Sequence, residues 1–384
     1  MQSNICYISG ARSEFGIISG LLKNLKKSKS LKLEVIFTGS HLSNFYGNTI
    51  NEAKNIGLKK YYKAKILTIK NNRIDTSNLI SSSISKINRL LKKINPKLVI
   101  LVGDRYETFS AAIVAYSRGI PILHFHGGEK TLNSLDDNYR HSISKLSHYH
   151  FVSNKIYKKR LIQLGEVPKS IFICGSLALK NIDKQNFFSK NTIEKKFKIF
   201  FREHNIIVNF NSETLSKTKT ENQIKIVLSS LEKLKNTSII FTMPGADVNN
   251  DIIFKEIKKF VKKNKNSYLV KSFGFKYYYS ILNIVDFMIG NSSSGIIEMP
   301  FFNKPTINLG KRQDGRVMSK SIINLKISKN LIKKKILYFQ RHKKKINNLK
   351  NPYNSKMTFK EIENIIKKIV KKKTSFKVFK DLNF

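Results

Sequence analysis

The chain has 384 residues and a mass of 44.3 kDa, with 41% hydrophobic and 25% charged residues. That is room for two or three globular domains whose core needs no disulfide or metal staple. Two cysteines, Cys6 and Cys174, exclude a disulfide framework and a four-cysteine zinc site, and no apolar run approaches the ~18 residues of a membrane span. The formal net charge of +47 invites a nucleic-acid partner, yet lysine supplies 61 of the 72 basic residues and arginine only 11. The lysines are spread along the chain, thickening at 333–345 and 367–373, and no RNA- or DNA-binding signature interleaves aromatics with them. A solvated lysine surface that attracts an anionic substrate is the expectation, with no nucleic-acid or membrane partner.

Short apolar runs alternate with longer amphipathic stretches, the pattern of βαβ units and parallel sheets. Strands are expected at 5–9, 33–38, 98–102, 122–125, 150–153 and 171–175, with helices at 17–25, 79–94, 108–118 and 138–146. Both cysteines fall in strand-like runs and read as buried thiols. A polar stretch at 180–204 breaks the pattern. Alternation resumes with strands at 206–210, 238–243, 268–271, 287–290 and 306–309, separated by helices such as 221–234 and 251–263. The expectation is an α/β protein of two domains with parallel sheets, 1–180 and 181–355. A C-terminal helix at 356–373 follows, packing back on the first domain, and 374–384 form a loose tail. The chain enters a strand at once, without a basic segment and a long apolar stretch, so a signal peptide is not expected and the cytoplasm is the default. Open parallel sheets bind ligands beyond the carboxyl ends of their strands, so chemistry is sought there, in the crevice between the domains.

The first strand runs into Gly10-Ala-Arg12-Ser-Glu14-Phe-Gly16. Its two glycines allow a tight turn, but the spacing is not G-x-G-x-x-G and does not indicate a bound NAD. Arg12 can fork onto a phosphate. The strand at 98–102 ends in Gly103-Asp104-Arg105-Tyr106-Glu107, and the strand at 122–125 ends in His124-Phe125-His126-Gly127-Gly128-Glu129. The two histidines alternate on a strand and can share a face. No further ligand set has metal-like spacing, so no metal is expected. Asp136-Asp137 and Arg140-His141 follow at the start of a helix, where helix capping is the plainer role. Asp104, Glu129 and Asp136 thus follow consecutive strands, and clustered carboxylates raise one another's pKa toward values suited to proton transfer.

In the second half, a strand leads into Gly290-Asn291-Ser292-Ser293-Ser294-Gly295 and a short helix bearing Glu298. Small hydroxyl residues at a helix start can bind a phosphate, and Glu298 can accept hydrogen bonds from a ribose. Arg312, after the next strand, can reach the same phosphates.

These segments resemble the hydrolysing UDP-N-acetylglucosamine 2-epimerases of bacterial sialic acid synthesis. The resemblance covers about residues 1–355 and is densest in GDRYETFSAAI, HFHGGEKTLNSLDDNYRHSISKLSH, RLIQLGE and GNSSSGIIEMP followed by GKRQDGRV. It implies a GT-B-like fold of two Rossmann-like domains and catalytic roles for Asp104, Glu129 and Asp136. It implies nucleotide contacts at Arg12, Ser293, Glu298 and Arg312, with Ser292 and Arg105 beside them. No metal or other cofactor is implied, and relatives are usually dimers or higher. The implied reaction eliminates UDP across C1–C2 to give 2-acetamidoglucal and then adds water to give N-acetylmannosamine.

Two positions depart from the family pattern. Asn211 stands where a histidine is usual, and an amide can donate a hydrogen bond but cannot carry a proton or a charge. Gly245-Ala246-Asp247 stands for Asn-x-Asp, so an amide is lost while Asp247 remains as a candidate sugar contact. His204 is a candidate substitute proton donor. The same reaction on UDP-N,N′-diacetylbacillosamine, a non-hydrolysing epimerisation, a GT-B glycosyltransferase and a UDP-sugar binder without turnover are the competing readings.

Overall fold

In a computed structural model, the residues described are 2–44, 46–66, 76–132, 134–182, 187–245, 247–342, 349–372 and 377–382. The chain forms two compact units. One comprises Met1–Glu129, Asp136–Asp183 and Tyr353–Phe384, and the other comprises Lys130–Leu135 and Lys184–Pro352.

The first unit is built on β1 (Ser3–Ser9), β2 (Leu31–Thr38), β3 (Tyr62–Ala64), β4 (Leu98–Val102), β5 (Ile122–Phe125), β6 (Tyr149–Val152) and β7 (Ile171–Ile173). The strands pair in parallel in the order β3-β2-β1-β4-β5-β6-β7. Successive side chains point to opposite faces of a strand, and both faces here are apolar. Ile5, Tyr7, Val35, Phe37, Leu98 and Ile100 join one core cluster, while Cys6, Ile8, Ile36, Val99 and Leu101 join another. Helices Arg12–Lys26 and Phe359–Lys371 cover the first face, and Thr76–Ile94 and Tyr106–Ser117 cover the second. Burial on both faces explains why these strands read as continuous apolar runs. Both cysteines are buried, and desolvation pushes the Cys174 thiol up to about 12.

The helix Phe359–Lys371 closes this unit. Thr358 and Glu361 form its capping box, and Phe359, Ile362 and Ile366 are buried against the first face. The contact is close because Gly20 lacks a side chain. A Cβ there would lie 2.2 Å from Asn181 Oδ1 and 2.6 Å from the Phe359 ring. Asn181 accepts from Gly20 N at 3.1 Å and donates to Gly16 O and Ile17 O at 2.8 Å each.

The second unit is built on β8 (His204–Asn209), β9 (Thr237–Thr242), β10 (Ser267–Val270), β11 (Phe287–Gly290), β12 (Thr306–Leu309) and β13 (Ile322–Leu325). These are again parallel, in the order β10-β9-β8-β11-β12-β13. Its core gathers Ile206, Val208, Phe241, Ile289 and Leu309 with Ile224, Val227 and Ile253 from helices Thr220–Leu231 and Asn250–Lys263. In each sheet the strand order reverses once, between β1 and β4 and between β8 and β11. Successive connections leave such a point on opposite faces, which opens a ligand site at the carboxyl ends of the strands.

Several elements differ from the sequence expectation. The edge strands β3 and β13 were not expected, because β3 is three residues long and β13 has no buried residue. The helices Lys190–Phe197 and Lys329–Arg341 lie in lysine-rich stretches. They bury only Ile193, and only Ile332 and Ile336, respectively, so their polar majority hides the periodicity. The end of the chain is not loose at 377–382. Lys377 Nζ is paired with Glu166 and donates to the Ser144 and Ser147 carbonyls, and Lys380 N donates to Gly165 O at 2.9 Å. The remainder of the expected tail (374–376, 383 and 384), part of the lysine run (343–345) and Ala246 lie outside the described residues. No helix among the described residues is long and apolar enough to cross a membrane.

The Ile362→Ala variant tests the docking of the last helix. Removing a fully buried side chain from this contact is expected to lower stability in urea denaturation by about 2–5 kcal/mol.

Candidate functional site

Arg12 is the first residue of its helix, immediately after the loop that follows β1. Glu14 fixes that loop. It is 5% exposed, and its Oε2 accepts from Gly10 N at 2.9 Å and Ala11 N at 3.1 Å, while its Oε1 accepts from Thr108 Oγ1 at 3.2 Å. Glu107, fully buried, lies beside it, and Arg105 Nε donates to Glu107 Oε2 at 3.2 Å. Gly39, with φ +57°, lets the backbone pass this carboxylate, since a Cβ there would sit 2.2 Å from Glu107 Oε1. Burial pushes Glu14 up to about 7, opposed by the Arg105 charge and reinforced by Glu107. Burial also raises Glu107, again against the pull of Arg105.

Asp104 and Glu129 follow β4 and β5, and one side chain joins them. Arg140, 2% exposed, forms an ion pair with Asp104 and donates to Glu129 O at 3.1 Å and Asp137 Oδ1 at 3.3 Å. Asp136 is the first residue of the helix Asp136–Leu146 that carries Arg140, and it is half-buried. The carboxylate of Glu129 is buried rather than open. Its Oε1 is 2.9 Å from His126 Nδ1 and accepts from Ser153 Oγ at 3.1 Å. The preceding Gly128 has φ +73°, and a Cβ there would meet Tyr157 O at 2.5 Å, so a side chain at this turn would push the helix Lys155–Gln163 away.

The two histidines do not share a face. His124 lies within β5, with Nε2 2.7 Å from Gly103 O and Nδ1 3.2 Å from Ser144 Oγ. Burial lowers its pKa to about 3, so it is a neutral strut. His126 lies beyond the strand end with φ +66°, and the left-handed backbone turns its ring to Glu129. Among the described residues no group of three or more His, Cys, Asp or Glu side chains could hold a metal ion.

In the second unit the hub is Asn291, fully buried after β11. It accepts from Asn211 N and donates to Asn211 O, both at 2.8 Å, which clips the end of β8 to the end of β11. Its own carbonyl accepts from Gln313 Nε2 at 2.8 Å and from Arg312 Nη1 at 3.3 Å. Arg312 Nη2 lies 3.7 Å from Asp247 Oδ2. Asn250 draws the Asp247 loop inward, donating to Gly245 O at 3.2 Å and Asp247 Oδ2 at 3.4 Å. Asn211 Oδ1 accepts from Gly245 N at 3.2 Å, so its amide nitrogen is the end suited to a ligand's acceptor. Position 245 has room for a side chain, since a Cβ there meets nothing closer than Asp247 Oδ2 at 3.6 Å.

Ser292 caps the helix Ser293–Ile297 by accepting from Ser294 N, and Glu298 follows its last turn, buried. This helix has five residues, so the dipole expected to favour a phosphate is small, and the local N–H and hydroxyl groups matter more. Its position is set by Gly295, where a Cβ would lie 2.6 Å from Thr306 Cγ2 of β12. His204 is misplaced for the role considered from sequence. It begins β8, five residues or roughly 17 Å of extended chain from the carboxyl end.

Arg12, Asp104, Arg105, Glu129 and Asp136 thus sit at or near carboxyl ends of strands in one unit. Asn211, Asp247, Ser292, Ser293, Glu298 and Arg312 do so in the other. Glu14, Glu107, His126, Arg140, Glu213, Asn291 and Gln313 were not assigned from sequence, although all lie in segments singled out for other residues, Glu213 two positions after Asn211.

Residues 23–367 match the family model described as UDP-N-acetylglucosamine 2-epimerase. The chain is 39% identical over 328 residues to the "GDP/UDP-N,N'-diacetylbacillosamine 2-epimerase (hydrolyzing)" of Campylobacter jejuni, covering 85% of each chain. It is 37% identical over 387 residues to the "Polysialic acid biosynthesis protein P7" of Escherichia coli, covering 99% of this chain and 98% of that one. In fold it is similar to the UDP-GlcNAc 2-epimerase from Neisseria meningitidis solved with UDP-GlcNAc. That match has a TM-score of 0.77 at 18% identity over 96% of this chain and all of the other.

The Glu14 carboxyl carries a pH signature. Its folded pKa of about 7 lies above the ordinary 4.5, so between these values the folded state holds a proton that the unfolded state has lost, and stability falls as pH rises. Replacing it as Glu14→Gln, which keeps an acceptor oxygen, removes this slope. Urea titrations from pH 4.5 to 7 are expected to move the stability difference in the variant's favour by up to about 3 kcal/mol. A pH-independent difference would refute the shift.

Proposed function

Because the chain belongs to the UDP-N-acetylglucosamine 2-epimerase family, we propose that it is a hydrolysing 2-epimerase that converts UDP-N-acetylglucosamine and water to N-acetylmannosamine and UDP. The observation that carries the reading is the Arg140 cluster. One buried guanidinium holds the Asp104 carboxylate and the Glu129 backbone together at the ends of adjacent strands, with Glu129 itself on His126. Supporting it, the E. coli relative, matched along almost the whole chain, carries a polysialic acid biosynthesis name.

The chemistry asks for two proton transfers at C2 and one from water. In the first step a carboxylate takes the C2 proton, the C1–O bond to UDP breaks with its electron pair leaving on UDP, and the C1=C2 bond of 2-acetamidoglucal forms. In the second step water adds to C1 as hydroxyl, its other proton passing to a carboxylate, while a carboxylic acid gives C2 a proton on the face opposite the one it lost, giving the manno configuration. Asp104, Glu129 and Asp136 are the candidates for these transfers. Arg12, Arg105 and Arg312 are suited to the diphosphate, where fork geometry matches phosphate oxygens, and Ser292, Ser293 and Glu298 are suited to the rest of the nucleotide. Asn211 supplies a neutral donor where the family usually has histidine, so it can hold the leaving group without protonating it.

A second reading shares all of this and changes the sugar. The hydrolysing relative named for N,N′-diacetylbacillosamine is 39% identical to this chain, which favours the same reaction on UDP-N,N′-diacetylbacillosamine.

Proton NMR of the purified protein in D₂O with each UDP-sugar in turn separates the two. Free UDP together with N-acetylmannosamine deuterated at C2 is the expected result with UDP-N-acetylglucosamine. Persistence of that sugar nucleotide while UDP-N,N′-diacetylbacillosamine is consumed would transfer the assignment to the second reading, and persistence of both would overturn it. Glu129→Gln keeps the side-chain shape and an acceptor for His126 but cannot ionise. Its turnover is expected to fall by at least ~100-fold.

A further inference from the structure

The loop that presents Arg312 is held from behind by a side chain with no assigned role. Glu213 is 7% exposed. Its Oε1 accepts from two consecutive backbone groups, Lys311 N at 2.6 Å and Arg312 N at 3.0 Å. Its Oε2 accepts from Gln223 Nε2 at 3.3 Å, and Gln223 is itself buried in the helix Thr220–Leu231. The loop is shaped to this carboxylate. Gly310 has φ +72°, and a Cβ there would sit 2.2 Å from Glu213 Oε1. On its other side the loop is tied to Asn291 O by Gln313 and Arg312.

The first unit repeats the device. Glu14 Oε2 accepts from Gly10 N and Ala11 N, the two residues that precede Arg12. In both units, then, a buried glutamate grips two successive N–H groups of the backbone that carries an arginine at a strand's carboxyl end.

We propose that Glu213 is a positioning residue for Arg312, ordering its loop in advance so that the guanidinium meets the diphosphate of a nucleoside-diphosphate sugar. The proposal rests on the assignment of Arg312 to the diphosphate made above. Its physical basis is that a carboxylate accepting from two adjacent N–H groups fixes the intervening backbone. Ordering done in the free protein is not subtracted from binding. The bonds to backbone need an acceptor oxygen at the right reach and not a negative charge as such. Glu213→Gln therefore retains them, whereas Glu213→Asp keeps the charge but draws the oxygens back by one methylene.

The test is UDP affinity of the full-length protein by calorimetry, with thermal melting to establish that each variant is folded. Glu213→Asp and Gly310→Ala are expected to weaken UDP binding by at least ~10-fold, the scale of one or two lost hydrogen bonds to a charged acceptor. Glu213→Gln should stay within about 3-fold of wild type, since it keeps the acceptor. Arg312→Ala should weaken binding on the wild-type background and add little on the Glu213→Asp background, because coupled residues are not additive. Full affinity in Glu213→Asp, or losses that add in the double variant, would overturn the proposal while leaving Arg312 in place. Full affinity in Arg312→Ala would overturn the diphosphate assignment and the proposal together.

Discussion

A parallel sheet ends in loops whose backbone N–H groups have left the ladder and must find other acceptors. In this protein two of those loops are satisfied by buried glutamates, Glu14 at Gly10–Ala11 and Glu213 at Lys311–Arg312. Everything placed on the loops depends on that solution, since a side chain is only as well placed as the backbone beneath it. Burying a carboxyl group is expensive, and Glu14 shows the expense in a pKa pushed up by desolvation. Such a group persists because several donors converge on it, and at Glu213 because Gly310 leaves it space.

Around Arg140 the same logic runs with the charges exchanged. A guanidinium has five donors and cannot lose its charge, so burying it requires acceptors on several sides. Asp104, Asp137 and the Glu129 carbonyl supply them. Satisfying one arginine therefore draws the ends of β4 and β5 and the start of the helix Asp136–Leu146 into a single cluster. His126 holds the Glu129 side chain in turn, and the strained φ of +66° at His126 is part of that arrangement. In the second unit the uncharged Asn291 has the corresponding role, using its backbone and its amide to join three loops. The overall charge of +47 takes no part in this geometry, which is set by a few buried groups.

The doubly buried strands were legible because an apolar run followed by Gly-Asp, Gly-Gly-Glu or Gly-Asn-Ser marks both a strand and the place where it stops. The edge strands β3 and β13 escaped because little of their surface is covered, so burial imposes no pattern on them. The helix Lys329–Arg341 escaped because two buried isoleucines suffice to dock it. Among the candidate site residues, Asp104 and Glu129 were singled out by their position just after a strand. Glu14 and Glu107 were not, since a glutamate in the first turn of a helix ordinarily faces water and favours the helix dipole. Whether it turns inward depends on distant residues: Thr108, 94 residues along the chain, donates to Glu14, and Gly39 leaves the space that Glu107 fills. His124 and His126 were read as able to share one face because alternation assumes that the strand continues, and at His126 it does not.

The sequence by itself determined the alternation of strands and helices and the placement of chemical side chains at strand ends, because hydrophobic periodicity and glycine punctuation are local properties. It also carried the family resemblance. Only the tertiary structure decided which of those side chains serve one another: Arg140 for Asp104 and Glu129, His126 for Glu129, Asn291 for Arg312, Glu14 and Glu213 for the backbone. Burial and hydrogen-bond partnership are set by residues distant along the chain, and a buried polar group takes its meaning from whatever the fold brings to satisfy it.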